Sequence, residues 1–207
     1  MSDAGGHYFA EQPSVASRPE SVELWLPDMH LRLSTDRGVF GHGTIDPGTR
    51  LLLSRGGEPR PSGLIVDVGC GTGAIAITLA RRAPAATVWA VDINARARAL
   101  CAENAAVNGV SHVRVLAPEE VPADCVVDEI WSNPPIRIGK PALHELLLTW
   151  LDRLAPSGVA HLVVHKHLGS DSLQRWIEAQ GWPCQRTVSS GGYRLLRISV
   201  AADRPQL

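Results

Sequence analysis

Leu64-Ile65-Val66 runs directly into Asp67-Val68-Gly69-Cys70-Gly71-Thr72-Gly73, and the residues from Ala74 onward are rich in helix formers. The apolar, β-branched stretch 64–68 predicts a buried strand, 73–82 predicts a helix, and the glycines form the turn between them. So tight a turn needs residues without a Cβ, both to reach positive φ and to let a ligand approach the backbone. The helix N-terminus beyond it offers unpaired N–H groups and the positive end of the helix dipole. A carboxylate or another polar ligand group belongs there.

The turn alone leaves the ligand open. Gly69, Gly71 and Ala74 also satisfy the dinucleotide fingerprint G-x-G-x-x-[GA], with Asp92 at the right separation for a ribose, and a glycine turn with a capping acid needs no ligand at all. Asp67 weighs against a dinucleotide: an acid repels a pyrophosphate but accepts a hydrogen bond from a bound amine. S-adenosylmethionine (AdoMet) carries that amine and no phosphate. Asp92, closing the expected strand 87–91, could take both ribose hydroxyls in a bidentate contact.

A second element, Ser132-Asn133-Pro134-Pro135-Ile136, follows the apolar stretch 126–131. Two prolines fix φ twice and remove two N–H donors, leaving carbonyls free to accept. The residue before a proline is held extended, so the Asn133 side-chain carbonyl is aimed. A target amine could donate one hydrogen to Asn133 and the other to the Pro134 carbonyl, which orients the nitrogen lone pair. Exocyclic base amines and primary amides are poor nucleophiles, because that lone pair is delocalised; positioning and electrostatics are then the available means of activation. A rigid loop ending a strand is the plainer account of the same prolines.

Alternating strands (64–68, 87–91, 113–116, 126–131, 159–164, 185–189, 194–200) and helices (73–82, 95–108, 141–154, 170–180) predict an α/β fold. Its seven-stranded sheet is mostly parallel, covered on both faces, with sites at the carboxyl ends of strands. Gly191-Gly192 predicts a hairpin that turns the last strand antiparallel. Before this, 22–26 and 30–34 alternate around Pro27-Asp28 as a β-hairpin, followed by a glycine loop at 38–43 and a helix at 47–53. The stretch 56–63 with Pro59 and Pro61 is the clearest linker. Residues 1–55 are therefore expected as an extension packed on a core of 56–207, the whole forming one structural domain.

With 207 residues and 44% hydrophobic content, the chain suits one good core. No apolar run of about 18 residues occurs, and residues 1–16 lack the basic-then-apolar pattern of a secretory signal. A cytoplasmic location is the expectation. Cys70, Cys101, Cys125 and Cys184 form no C-x-x-C pair and read as reduced, packed residues; Cys70 has no neighbouring cation to activate it as a nucleophile. The net charge of −1 leaves any RNA contact to a local patch.

Asp67 to Gly73, Asp92 and Asn133 to Ile136 resemble the AdoMet-binding and target-amine motifs of class I, Rossmann-like methyltransferases. The larger pattern resembles the RsmC-type 16S rRNA guanine-N2 methyltransferases and their small single-domain relatives. It is carried by His7-Tyr8-Phe9, Gly38-Val39-Phe40, Asp46-Pro47-Gly48-Thr49, Asn133 to Lys140 and Gly191-Gly192-Tyr193-Arg194. The resemblance implies that Asp67, Gly69, Cys70, Gly71, Gly73, Asp92, Ile93 and Asn133 contact AdoMet, which leaves as S-adenosylhomocysteine. It implies that Asn133, Pro134 and Pro135 form the catalytic amine clamp and that Phe40 closes over cofactor or target. Two departures stand out. Ala117-Pro118-Glu119 occupies the place where an acid and a polar residue usually meet the adenine, and the chain has no room for the second, degenerate half of the two-domain members.

Ile136 stands where many adenine-N6 and protein-glutamine methyltransferases carry a stacking aromatic, which shifts the expectation toward guanine N2, with the other two as alternatives. A non-catalytic AdoMet-binding factor is a further alternative, opposed by the intact Asn133-Pro134-Pro135. Arg137 and Lys140, with Arg194 near the same side, suit a phosphate backbone of ribosomal RNA or the small subunit, or are simply solvated charges. His161, His165 and His167 share strand parity, but no cysteine or carboxylate is expected to join them. No metal site is therefore expected, and His165 or His167 could touch substrate.

Overall fold

The structure, a computed structural model, describes residues 11–201; the string His7-Tyr8-Phe9 lies outside them. Side chains alternating along the strands reach two separate cores. Ile65 of β3 (Ser62–Val68), Val88 and Ala90 of β4 (Ala85–Val91), Trp131 of β6 (Val127–Ser132) and Val163 of β7 (Leu154–His165) enter one. Val66, Val68, Val91, Ile130, Leu162 and Val164 enter the other. A sheet buried on both faces requires apolar residues at consecutive positions, which these strands supply.

The first core is closed by α2 (Ala74–Arg82), α3 (Ala95–Val107) and the N-terminal elements, β1 (Glu20–Trp25), β2 (His30–Thr35) and α1 (Pro47–Arg55). Leu24, Leu31 and Leu33 of the hairpin and Leu52 and Leu53 of α1 are at most 1% exposed, so the N-terminal segment completes this core. The second is closed by α4 (Lys140–Leu151) and α5 (Ser170–Ala179). With β5 (Arg114–Leu116), β8 (Cys184–Ser190) and β9 (Tyr193–Ser199), the seven-stranded sheet runs β5-β4-β3-β6-β7-β9-β8. β3, β4, β5, β6 and β7 pair in parallel, and β9 lies antiparallel between β7 and β8. The last strand is antiparallel as expected, and it is not the edge.

One boundary is corrected. The helix expected at 141–154 ends at Leu151, and Leu154 already pairs with Val127, ahead of an irregularity that restores register at Glu129 and Val159. Pro156 and Gly158 interrupt the strand there, so only its later part has the regular pattern visible in the sequence.

Side chains of α2 and α3 tether the hairpin. Asn104 of α3 accepts from Ser34 N (2.7 Å) and donates to the carbonyls of Ser34 and Thr72 (2.9 Å each), tying β2 to the glycine turn. Arg82 grips both Asp28 oxygens (2.8 Å each) and donates to the Leu53 carbonyl. The order of connections reverses beside β3, where β4 lies on one side and β6 on the other, and ligands bind at such switch points. Among the described residues no helix is long and apolar enough to cross a membrane.

Candidate functional site

Above the carboxyl ends of β3, β4, β6 and β7 lies a cavity of about 1180 Å³. Pockets for one small ligand run to roughly 1,000 Å³, so this one accommodates a cofactor and part of a second molecule. Gly69 and Gly71 line it from the turn after β3, and Asp92 and Ile93 from the end of β4. Asn133, Pro134, Pro135, Ile136 and Arg137 line it after β6, and His165 and His167 after β7. Phe40 and Asp46 from the loop before α1, Tyr193 from β9, and Glu145, Leu146 and Trp150 of α4 add to the wall.

The turn is pinned from below. The N–H groups of Gly69 and Cys70 both donate to the Val91 carbonyl (2.8 and 3.1 Å), and Gly71 N donates to Asp92 Oδ2 (2.9 Å). Gly69 and Gly71 have positive φ (76° and 52°), and a Cβ on either would meet nothing closer than 3.8 Å. They are glycines for conformation and for access. Gly73, also at positive φ (86°), is constrained by packing in addition: a Cβ there would stand 2.7 Å from Cys101 Sγ on α3, and it does not line the cavity. Cys70 does not line it either. It faces a small adjoining space, and its hydrogen bond with Cys101, together with burial, holds its thiol well above the usual range, which leaves it unsuited to nucleophilic attack.

Asp67 is fully buried beneath the turn, within β3, and does not line the cavity. Oδ2 accepts from Ala76 N (3.0 Å), and Oδ1 finds no hydrogen-bond partner among the described residues. Burial first, and the nearby Asp92 charge in addition, push its carboxyl up to about 8. A buried oxygen with no donor is the state that a bound ammonium or water relieves. Asp92 does line the cavity. Its oxygens accept from Gly71 N and Asn94 N, and burial raises its pKa. Each oxygen retains a lone pair. The expected AdoMet fits these groups: an unpartnered acid under the turn, a carboxylate at the β4 end, and Ile93, 47% exposed, as an apolar surface beside it.

Asn133 is held more tightly than its sequence context required. Its Nδ2 donates to Asp46 Oδ2 (2.8 Å) and to Thr49 Oγ1 (3.0 Å), which consumes both amide hydrogens. A carboxylate oxygen only accepts, so the amide orientation is fixed and Oδ1 is the free end. The same Asp46 Oδ2 caps α1 by accepting from Thr49 N (2.9 Å), with Pro47 in the first turn. The Tyr193 hydroxyl lies near Asp46; burial, then that charge, raise its pKa. Sequence alone assigns no site role to Asp46, Thr49 or Tyr193. The available signal was an N-cap string, D-P-x-T, that nothing local tied to Asn133.

Pro135, at φ −75° and ψ 71°, is the centre of an inverse γ-turn in which Ile136 N donates to the Pro134 carbonyl (2.8 Å). That carbonyl, expected free, thus has one lone pair in use and one left for a ligand. Arg137 lines the cavity, whereas Lys140, exposed at the start of α4, does not. Arg194 is likewise absent from the wall.

The region 117–119 resolves into an apolar seat: Pro118 and Val121 line the cavity, Glu119 does not, and Glu120 Oε2 turns back to accept from Ala117 N (2.6 Å). The histidine expectation needs one correction. A carboxylate does join His161, whose Nε2 lies 3.1 Å from buried Glu129 Oε1 on the neighbouring strand. Glu129 Oε2 also accepts from Arg60 N, and His161 stacks on Trp131. Among the described residues no three metal-ligating side chains converge.

A methyltransferase small domain model matches residues 30–197. The chain belongs to the methyltransferase small domain family. An uncharacterized Bacillus subtilis protein, YbxB, is 35% identical over 83% of this chain and 87% of its own length. The ribosomal RNA small subunit methyltransferase C of Pseudomonas entomophila is 32% identical over 91% of this chain and 57% of its own. The chain thus spans little more than half the length of that relative. Among solved structures, the Thermus thermophilus 16S rRNA N2 G1207 methyltransferase, RsmC, in complex with AdoMet and guanosine, superposes with a TM-score of 0.73 at 22% identity. It covers 91% of this chain and 52% of that one. The Thermus thermophilus protein TrmN gives 0.59 at 27% identity, over 74% and 48%. The α/β fold with its mostly parallel sheet is that of the methyltransferase family.

Proposed function

We propose that the chain is an AdoMet-dependent N-methyltransferase acting on the exocyclic N2 amine of a guanine in 16S ribosomal RNA, as naked RNA or in the small subunit, in the cytoplasm. The observation that carries this reading is the Asn133 side chain, a lining residue of the cavity anchored through its nitrogen so that its carbonyl oxygen is left to accept.

Bound AdoMet supplies an electrophilic methyl group on a sulfonium. The turn glycines, above buried Asp67, would hold its amino-acid end, Asp92 the ribose hydroxyls, and Ile93 with Pro118 the adenine. The chain's own task is the acceptor. Asn133 Oδ1 takes one amine hydrogen and the Pro134 carbonyl the other, which draws the nitrogen out of conjugation and leaves its lone pair directed at the methyl. As the nitrogen gains carbon, positive charge develops there, and the same oxygens stabilise it. The nitrogen then gives up one proton, which the amide of Asn133 does not retain; the open mouth passes it to water.

Guanine is favoured by Ile136, an aliphatic residue in the cavity wall where many adenine-N6 and protein-glutamine methyltransferases carry a stacking aromatic. The methyltransferase C name of the Pseudomonas relatives and the guanosine in the RsmC complex agree with this choice. Calorimetry with AdoMet, then radiolabelled transfer to ribosomal subunits, naked rRNA and release-factor protein, tests it. Label on guanine N2, located by mass spectrometry, is the expected result. Label on adenine or on glutamine would move the target within the same clamp, and binding without transfer would leave a cofactor-binding factor.

A further inference from the structure

The N-terminal segment is more than a lid on the first core. Asp46 ends the loop after the hairpin and begins α1, yet its Oδ2 lies 2.8 Å from Asn133 Nδ2, and Thr49 Oγ1 in the first turn of α1 lies 3.0 Å from the same nitrogen. The Tyr193 ring of β9 packs beside this helix start, where Gly48 leaves it its place, since a Cβ there would stand 2.6 Å from Tyr193 Cε1. Asp46 is thereby fixed by a helix cap and by Asn133 itself.

We propose that Asp46 is a positioning residue for methyl transfer: it sets the rotamer of Asn133 and, by accepting from its amide nitrogen, increases the electron density on Oδ1. Two physical effects follow. A free asparagine side chain can turn about its terminal torsion, and in half of its orientations it would present NH2, a donor, to a target that also donates. Two acceptors on Nδ2 remove those orientations. Chained hydrogen bonds also polarise one another, so an acidic acceptor on the nitrogen end makes the oxygen end a stronger acceptor as charge develops on the target nitrogen. Thr49 supplies geometry only, having a neutral hydroxyl; Asp46 supplies geometry and charge.

This inference rests on the Asn133 clamp proposed above, and the test separates the two. The measurements, made on the full chain, are single-turnover kcat and KM with an rRNA fragment, the AdoMet Kd by calorimetry, and Tm. Asp46→Ser keeps a good helix cap but removes the carboxylate. Its kcat is expected to fall about 10- to 100-fold, the scale of a small misplacement at a reacting centre, with KM, Kd and Tm nearly unchanged. Asp46→Asn retains an acceptor of the same length and is expected to recover part of the loss. In an Asn133→Ala background, Asp46→Ser should cost little more, because the group it acts through is gone. Multiplying losses in the double variant, or a Tm and AdoMet Kd that decline in step with kcat, would overturn the proposal and reduce Asp46 to a helix cap. Full activity in Asn133→Ala itself would instead overturn the clamp.

Discussion

The glycine turn after β3 and the Asn-Pro-Pro turn after β6 stand side by side at the switch point of the sheet, but they are held by different means. Backbone and side-chain partners of the first, namely the Val91 carbonyl, Asp92, Asp67 and Asn104, come from the contiguous run of β3, α2, β4 and α3. The second is steadied by residues 87 and 84 positions earlier in the chain, Asp46 and Thr49. A cofactor seat can therefore be written into one contiguous segment, whereas the amine clamp needs the N-terminal helix docked on the core.

The largest separation of the two is expected from Asn133→Ala. Loss of a preorganised hydrogen-bonding group at a site of developing charge costs roughly 10²–10³ in kcat. The AdoMet Kd in calorimetry should stay within a few-fold of the parent, because most of the cofactor side is built from other residues. Asp92→Ala should show the converse. Hydrogen bonds to a charged group contribute roughly 1.5–3 kcal/mol, so AdoMet affinity should weaken about ten- to a hundredfold. Asp92 also receives Gly71 N, so part of that loss will come from a loosened turn. Asp92→Asn, which keeps one acceptor, should fall between. Equal damage to both measurements by either substitution would mean that the two turns are not separable.

The same contrast explains what the sequence disclosed. The strand order of events, the two-sided sheet and the glycine turn rest on periodicity and on local stereochemistry, which short windows of sequence contain. Asn133 was legible because prolines restrict their neighbours. Its anchors were not, since a cap string such as Asp46-Pro47-Gly48-Thr49 announces a helix start and says nothing about which strand end it will meet. Likewise Glu129 and His161 meet across β6 and β7, a pairing set by register. Gly73 looked like a ligand glycine only because the approach of Cys101 is a tertiary fact. Asp67 is read correctly as an acid near the turn, but its burial, and the unpartnered Oδ1 that follows, depend on how α2 starts above it.

Asp67 offers a smaller effect, on stability. Its carboxyl is raised from an ordinary 3.8 to about 8, chiefly by burial. The folded chain then holds a proton that the unfolded chain releases above about pH 4, so folding stability should decline as pH rises between about 4 and 8 and level off above. Thermal unfolding at pH 5 and pH 8 measures this. Asp67→Asn, which cannot titrate, should flatten that part of the profile. Saturating AdoMet should flatten it too if its ammonium pairs with Oδ1, and an unchanged slope with cofactor present would place the ammonium elsewhere.

The smallest effect concerns the rim, where Arg137 and Lys140 read as a pair in sequence but are separated by the structure. Arg137 belongs to the cavity wall and Lys140 does not, so the two should not contribute equally to RNA binding. Each single-strand phosphate neutralised contributes about 0.7 to the slope of log K against log salt. Arg137→Ala should lower that slope by roughly this amount for an rRNA fragment, and Lys140→Ala by less. Lys140 also sits at the positive end of α4, where a cation opposes the helix dipole, so its removal should leave Tm unchanged or slightly raised. A weaker RNA affinity in Lys140→Ala would then be a direct loss of contact, and an equal slope change in both variants would show the RNA track running along the start of α4 as well as over the cavity mouth.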